Sequence, residues 1–245
     1  MGIEDLTELE IVHGSTSLIF SIVGIIIGLT IAYKGYKSQQ EEILAVGISV
    51  AFSRVTLLPA GISFITFIFF DFILPDTLYF FITYGITGCA IIPWMYAMTK
   101  FLFPQHLKKV LLIYIAIHIF FEILLITLLI VNPAMVATKE GFFNLNSGII
   151  MSIFVIYSTI SVLYTMFWFI RDCLKSKNLN TKWRGRFLLM STLIVAFGIV
   201  TDSAFSLNAI LLLVVRLILL VGVVINYLGW LLPKWLANWL IKENK

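Results

Sequence analysis

Seven long apolar segments joined by short polar connections decide what this chain can fold into. They run over about 11–33, 43–70, 77–99, 108–131, 147–170, 183–201 and 208–232. Each is close to or above the roughly 20 residues that cross a hydrocarbon core as a helix. Short connections favour antiparallel neighbours. The expected fold class is therefore all-α: a polytopic membrane protein, one seven-transmembrane-helix bundle occupying the single domain 1–245. Composition agrees. The chain is 60% hydrophobic and 12% charged, against about 45–50% and about 25% in soluble domains. No stretch is left for a soluble catalytic domain, so the chain is not expected to be an enzyme.

The basic residues orient the bundle. Of 17 Lys and Arg, those at 34, 37, 100, 108, 109, 171, 175, 177, 182, 184, 186, 234, 242 and 245 fall in connections and tail on one side. Lys139 falls on the other. Glu4, Asp5, Glu8, Glu10, Asp71, Asp76, Glu140 and Asp202 show the opposite bias. The positive-inside rule then places the N-terminus outside and the C-terminus in the cytoplasm, as an odd number of spans requires. The acidic N-terminus lacks the basic start of a signal peptide, so the first apolar run is expected to be a retained span. Cys89 and Cys173 fall mid-span and in a connection, too far apart to bridge, and no metal-ligand spacing is present.

Charged groups inside the apolar segments are the candidate site. Tyr114, His118 and Glu122 are spaced i, i+4, i+8 and share one helix face. A mid-membrane carboxylate costs several kcal/mol unless it is paired, hydrated or protonated. Helix rise puts Arg54 about 11 residues into span 2, His118 and Glu122 about 10 and 14 into span 4, and Arg216 about 16 from the inner end of span 7. All lie in one slab near the midplane. Arg54, Tyr114, His118, Glu122 and Arg216 thus form the expected ligand-binding or buried polar cluster. With His neutral it is one negative charge short. Either a bound anion or water completes it, or an Arg snorkels, Arg54 inward and Arg216 outward to Asp202 or Asp71. In the structural reading Glu122 simply ties helices together.

Other features are secondary. Gly14, Ser17, Ser21, Gly24 and Gly28 form a helix-packing seam along span 1, serving packing within the chain or, less commonly, a second copy. Pro59 and Pro93 are expected to kink spans 2 and 3. Ser158, Ser161 and Thr165 line one face of span 5. Phe142 and Phe143 dip into the interface or cap the bundle. The segment about 234–242 reads as an interfacial amphipathic helix, and the six tryptophans as an inner anchoring belt.

Specific chemistries are disfavoured residue by residue. The last span has Arg216 where a retinal protein has its Schiff-base lysine. Only His118 lies deep enough for a transmembrane haem. Neither a two-repeat sugar-transporter pattern nor an intramembrane-protease signature is present. The closing stretch Tyr227-Leu-Gly-Trp230-Leu-Leu-Pro233-Lys-Trp235 resembles the end of the seven-helix sensory domains that precede histidine kinases in archaea and bacteria, a rhodopsin-like layout. That resemblance implies a sensor module. Those domains continue into an output module, whereas this chain stops at Lys245, so signalling would pass to a separate protein. The expected function is a membrane sensor or receptor-like module that binds a small or lipidic, anionic ligand and signals through the basic stretch 171–186. A small proton- or anion-linked transporter or channel, and an accessory subunit of a membrane complex, are the alternatives. Expected partners are the lipid bilayer of the cell membrane, a small-molecule or lipid ligand, a cytoplasmic protein and, through the seam, a homo-oligomer. No cofactor, metal or nucleic acid is expected.

Overall fold

The computed structural model describes residues 3–204 and 208–242, with the side chains at 3, 140, 199, 200, 202–204, 241 and 242 outside the description; the sequence-level charges Glu140, Asp202, Lys242 and Lys245 thus lie outside the described side chains. Nearly all of the described chain is helical. Helix α1 spans Glu8–Lys37 and opens on a capping box: Thr7 Oγ1 accepts from the Glu10 N–H, and the Glu10 carboxylate accepts from the Thr7 N–H at 3.0 Å. Lys34 and Lys37 in its last turn sit at the negative end of the helix dipole.

Span 2 is two helices, α2 (Glu41–Val55) and α3 (Leu58–Phe70), bent by 45°. The break falls at Thr56 and Leu57, and Pro59 sits within the first turn of α3, where its missing N–H leaves no helix bond unmade. Span 3 is α4 (Asp76–Phe80), a π-helical turn (Phe81–Gly85) and α5 (Thr87–Leu102). The expected irregularity of span 3 therefore lies at the π-turn, while α5 runs through Pro93. Helices α6 (Leu107–Val131), α7 (Ile149–Lys175), α8 (Leu179–Ala204) and α9 (Ala209–Leu231) follow, and α10 (Lys234–Lys242) closes the described chain. Asn208 caps α9 by accepting from the Leu211 N–H at 2.9 Å.

Among the described residues, five segments are long and apolar enough to cross a membrane: α1, 76–102, 104–131, α7 and α9; the bent α2–α3 pair makes a sixth if it is one broken span. Packing orders them into a circuit. α1 contacts α2, α3 and α9; α2 contacts α5; α5 contacts α7; α7 contacts α8; and α8 contacts α9. Helix α6 stands outside this circuit, against α5 and against α7 through the stacked Phe121–Phe154 pair. The α1–α2 contact is the closest. A Cβ on Gly28 would strike the Ala51 backbone, and one on Gly47 the Ala32 backbone. All five seam residues of α1 are buried, so the seam serves packing within the chain.

The connection that carries Phe142 and Phe143 contains a hairpin: β1 (Ala137–Glu140) pairs antiparallel with β2 (Asn144–Ser147) around Gly141, whose φ is +68°. The hairpin is bolted across the acidic end of the bundle. Phe143 is buried edge-on to Phe64, and its carbonyl accepts from the Tyr79 hydroxyl at 2.8 Å. Glu10 accepts from the Phe142 N–H at 3.1 Å, and Lys139 Nζ lies 2.7 Å from the Asp76 carboxylate.

Candidate functional site

The polar residues fall into two centres. The first lies where α6 meets α7 and the π-turn. The Tyr114 hydroxyl donates to Ser161 Oγ at 2.9 Å, and Ser161 donates to the Tyr157 carbonyl at 2.9 Å. One turn further, Trp94 Nε1 donates to Thr165 Oγ1 at 3.0 Å. Span 5 hydroxyls thus join α5 and α6 to α7. His118 is buried, with its ring 5.2 Å from that of Phe154. Its Nδ1 lies 2.7 Å from the Tyr114 carbonyl. A carbonyl only accepts, so Nδ1 carries the proton, and the buried Nε2 is left without a partner.

Glu122 is half-buried against span 3. A Cβ on Gly85 would lie 3.4 Å from its Oε2, and one on Gly88 would lie 3.9 Å from its Oε1 and 3.4 Å from His118 Cδ2. Gly85 and Gly88 therefore face both polar groups of α6, with room for a Cβ at van der Waals distance from each. Among the described residues no basic nitrogen lies within ion-pair distance of Glu122.

The second centre lies between α1, α2 and α9. Arg54, in the last turn of α2, lays its stem across Gly24 and its guanidinium 4.7 Å over the Phe20 ring. Its Nε is buried without an acceptor, and no described acidic group pairs with it. Ser17 and Ser21 are fully buried, yet neither hydroxyl has a partner. Their neighbours Ser15 and Thr16 bond back to the Ile11 and Val12 carbonyls, the usual outlet for a helical hydroxyl. Residues 13, 17 and 21 share one helix face, and His13 Nδ1 is also buried without a partner. Arg216 of α9 is buried, near enough to act electrostatically on His13. Asp202, one sequence-level partner for Arg216, has its side chain outside the description.

The five-residue cluster is thus divided: Tyr114, His118 and Glu122 share one centre, Arg54 and Arg216 flank the other, and no ion pair links Glu122 to either arginine. Sequence reasoning missed Gly85, Gly88, His13 and the hydroxyls of Ser17 and Ser21 as polar groups. A Gly-x-x-Gly pair in a span adjacent to one carrying a carboxylate was the available signal for the first two. No protein-family model matches the chain, and no curated protein matches it.

Proposed function

We propose that the chain is a seven-span, receptor-like protein of the cell membrane, with α8 as the sixth span, the N-terminus outside and the C-terminus in the cytoplasm. It binds a small or lipidic anion within the bundle and passes binding to a separate cytoplasmic partner through 171–186. The carrying observation is Arg54: a mid-bundle cation with no acidic partner, beside a face of α1 whose buried hydroxyls have no partners. A guanidinium stays charged, and buried donors left unmade cost about 1–3 kcal/mol each. An anion at this place would offset both. The second reading, anion-linked transport, draws support from the break of span 2 beside Arg54, because broken helices at mid-depth are a recurrent way to expose ion-binding groups.

The test is thermal stability of the purified protein titrated with chloride, phosphate and decanoate, for the wild type and for Arg54→Gln. At least one anion is expected to raise the wild-type Tm and leave Arg54→Gln unmoved. Absence of any such anion would sink both readings. Anion flux in liposomes then separates them, since a receptor binds without flux.

A further inference from the structure

A separate cavity of about 350 Å³ opens at the opposite end of the bundle from the hairpin, among the ends of α2, α5, α7, α8 and α9. Its walls are of two kinds. Phe101, Phe169 and Trp230 are apolar and mutually braced, with Phe169 stacked on Trp230 at 5.3 Å and Phe101 at 5.0 Å from Phe169. Gln40, Thr181 and Arg184 are polar. Glu42 also borders the cavity, but its carboxylate is taken by Lys100 Nζ at 3.2 Å. Arg184 is exposed and forms no ion pair among the described residues. Trp230 is 3% exposed, and its indole N–H has no acceptor. A cation, a buried indole N–H without an acceptor and aromatic faces around one cavity suit a ligand with an oxyanion head and an apolar body.

The surroundings identify the head. Helix α10 buries Leu236 and Leu240 against Trp183 and Phe187, and exposes Trp235 and Trp239. That arrangement is an interfacial anchor, which holds this end of the bundle at headgroup level. Lys175, Lys177, Lys182, Arg184 and Arg186 crowd the same end. Basic pockets between helices at this level take lipid phosphates. We infer that the cavity is a second binding site, for a phosphate-bearing lipid of the adjacent leaflet, with Arg184 and the Trp230 N–H on the phosphate and Phe101 and Phe169 on the chain.

Cys173 borders the cavity and reports its occupancy; Cys89 is exposed and is removed as Cys89→Ala. The rate at which a thiol reagent modifies Cys173 is measured in the detergent-purified protein with lysophosphatidic acid, lysophosphatidylcholine or inorganic phosphate. Lysophosphatidic acid alone is expected to slow modification saturably. Arg184→Gln should raise its half-saturating concentration roughly tenfold or more, and Trp230→Phe, which keeps a stacked ring, roughly three- to tenfold. Equal protection by lysophosphatidylcholine, or an unchanged Arg184→Gln, would overturn the site. Protection by inorganic phosphate at the same concentration would overturn the lipid as its source. If Cys173 proves unreactive, lipid retention in native mass spectrometry is read instead, and equal retention of the two lipids overturns the proposal. Arg54 does not line this cavity, so Arg54→Gln is expected to leave lysophosphatidic acid protection unchanged, and the site stands or falls independently of the anion site at Arg54.

Discussion

Arg54 shows how a half-buried guanidinium with a buried Nε is tolerated without an ion pair. Gly24 gives the stem a place to lie, Phe20 gives the guanidinium a π face, and the helix ends one residue beyond it at the 45° break. A cation–π contact contributes about 2 kcal/mol when desolvated, less than the several kcal/mol a buried ion costs. Arg54→Met, which keeps the stem and removes the charge, should therefore raise the stability of the ligand-free protein, by about 1–4 kcal/mol. It should also abolish any anion-dependent rise in Tm. A drop in Tm in anion-free buffer would mean that the guanidinium is held by something other than a removable ligand. Gly47 is governed by contact with backbone instead. A methyl there meets the Ala32 main chain, which no rotamer change relieves, so Gly47→Val should cost about 3 kcal/mol, the upper end of the usual overpacking range. Val50→Ala on the same helix, where the side chain is half-buried, should cost less. Chemical or thermal denaturation of both variants in one detergent checks the order.

Among the elements, the hairpin is the one the sequence hid most completely. Its strands are four residues each and carry none of the alternation that marks a half-buried strand. Their register comes from contacts distant in sequence: Tyr79 to the Phe143 carbonyl, Glu10 to the Phe142 N–H and Lys139 to Asp76. Tyr79→Phe removes a buried hydroxyl and leaves the Phe143 carbonyl unpaired, a loss of about 1–3 kcal/mol. The loss should be local: hydrogen exchange at 137–147 should quicken while α8 and α9 keep their protection. Uniform acceleration along the whole chain would show that the hairpin is part of the cooperative core. The amphipathic helix and the small-residue seam, by contrast, were legible, because each is a pattern within one helix. The tryptophans do not share one environment. Trp94 and Trp230 are buried and meet edge to face at 6.1 Å, whereas Trp235 and Trp239 are exposed. Residue type alone does not separate an anchor from a core ring.

At the scale of the molecule, hydropathy specified a helical chain with several membrane-length segments, because burial in lipid and burial in protein both demand apolar residues. It could not specify which helices meet. Depth counting put Arg54, Glu122 and Arg216 in one slab and so brought them together on paper, but α6 stands outside the circuit of the other helices, and its carboxylate faces span 3. Depth is one coordinate of three. The same limit applies to orientation, which rests on charge bias together with an odd number of spans. Those two supports are separable by experiment. In a Cys89→Ala, Cys173→Ala background, Thr7→Cys lies at the start of α1, and Lys177→Cys lies between α7 and α8. With seven spans and the basic end inside, a membrane-impermeant maleimide should label position 7 on intact cells and position 177 only after permeabilisation. Ser38→Cys, just beyond the end of α1, should behave like position 177, because one complete span separates it from position 7. Labelling of 7 and 38 together from outside would mean that α1 does not cross. Labelling of 38 but not 7 would reverse the orientation and move the lipid-phosphate cavity to the outer leaflet.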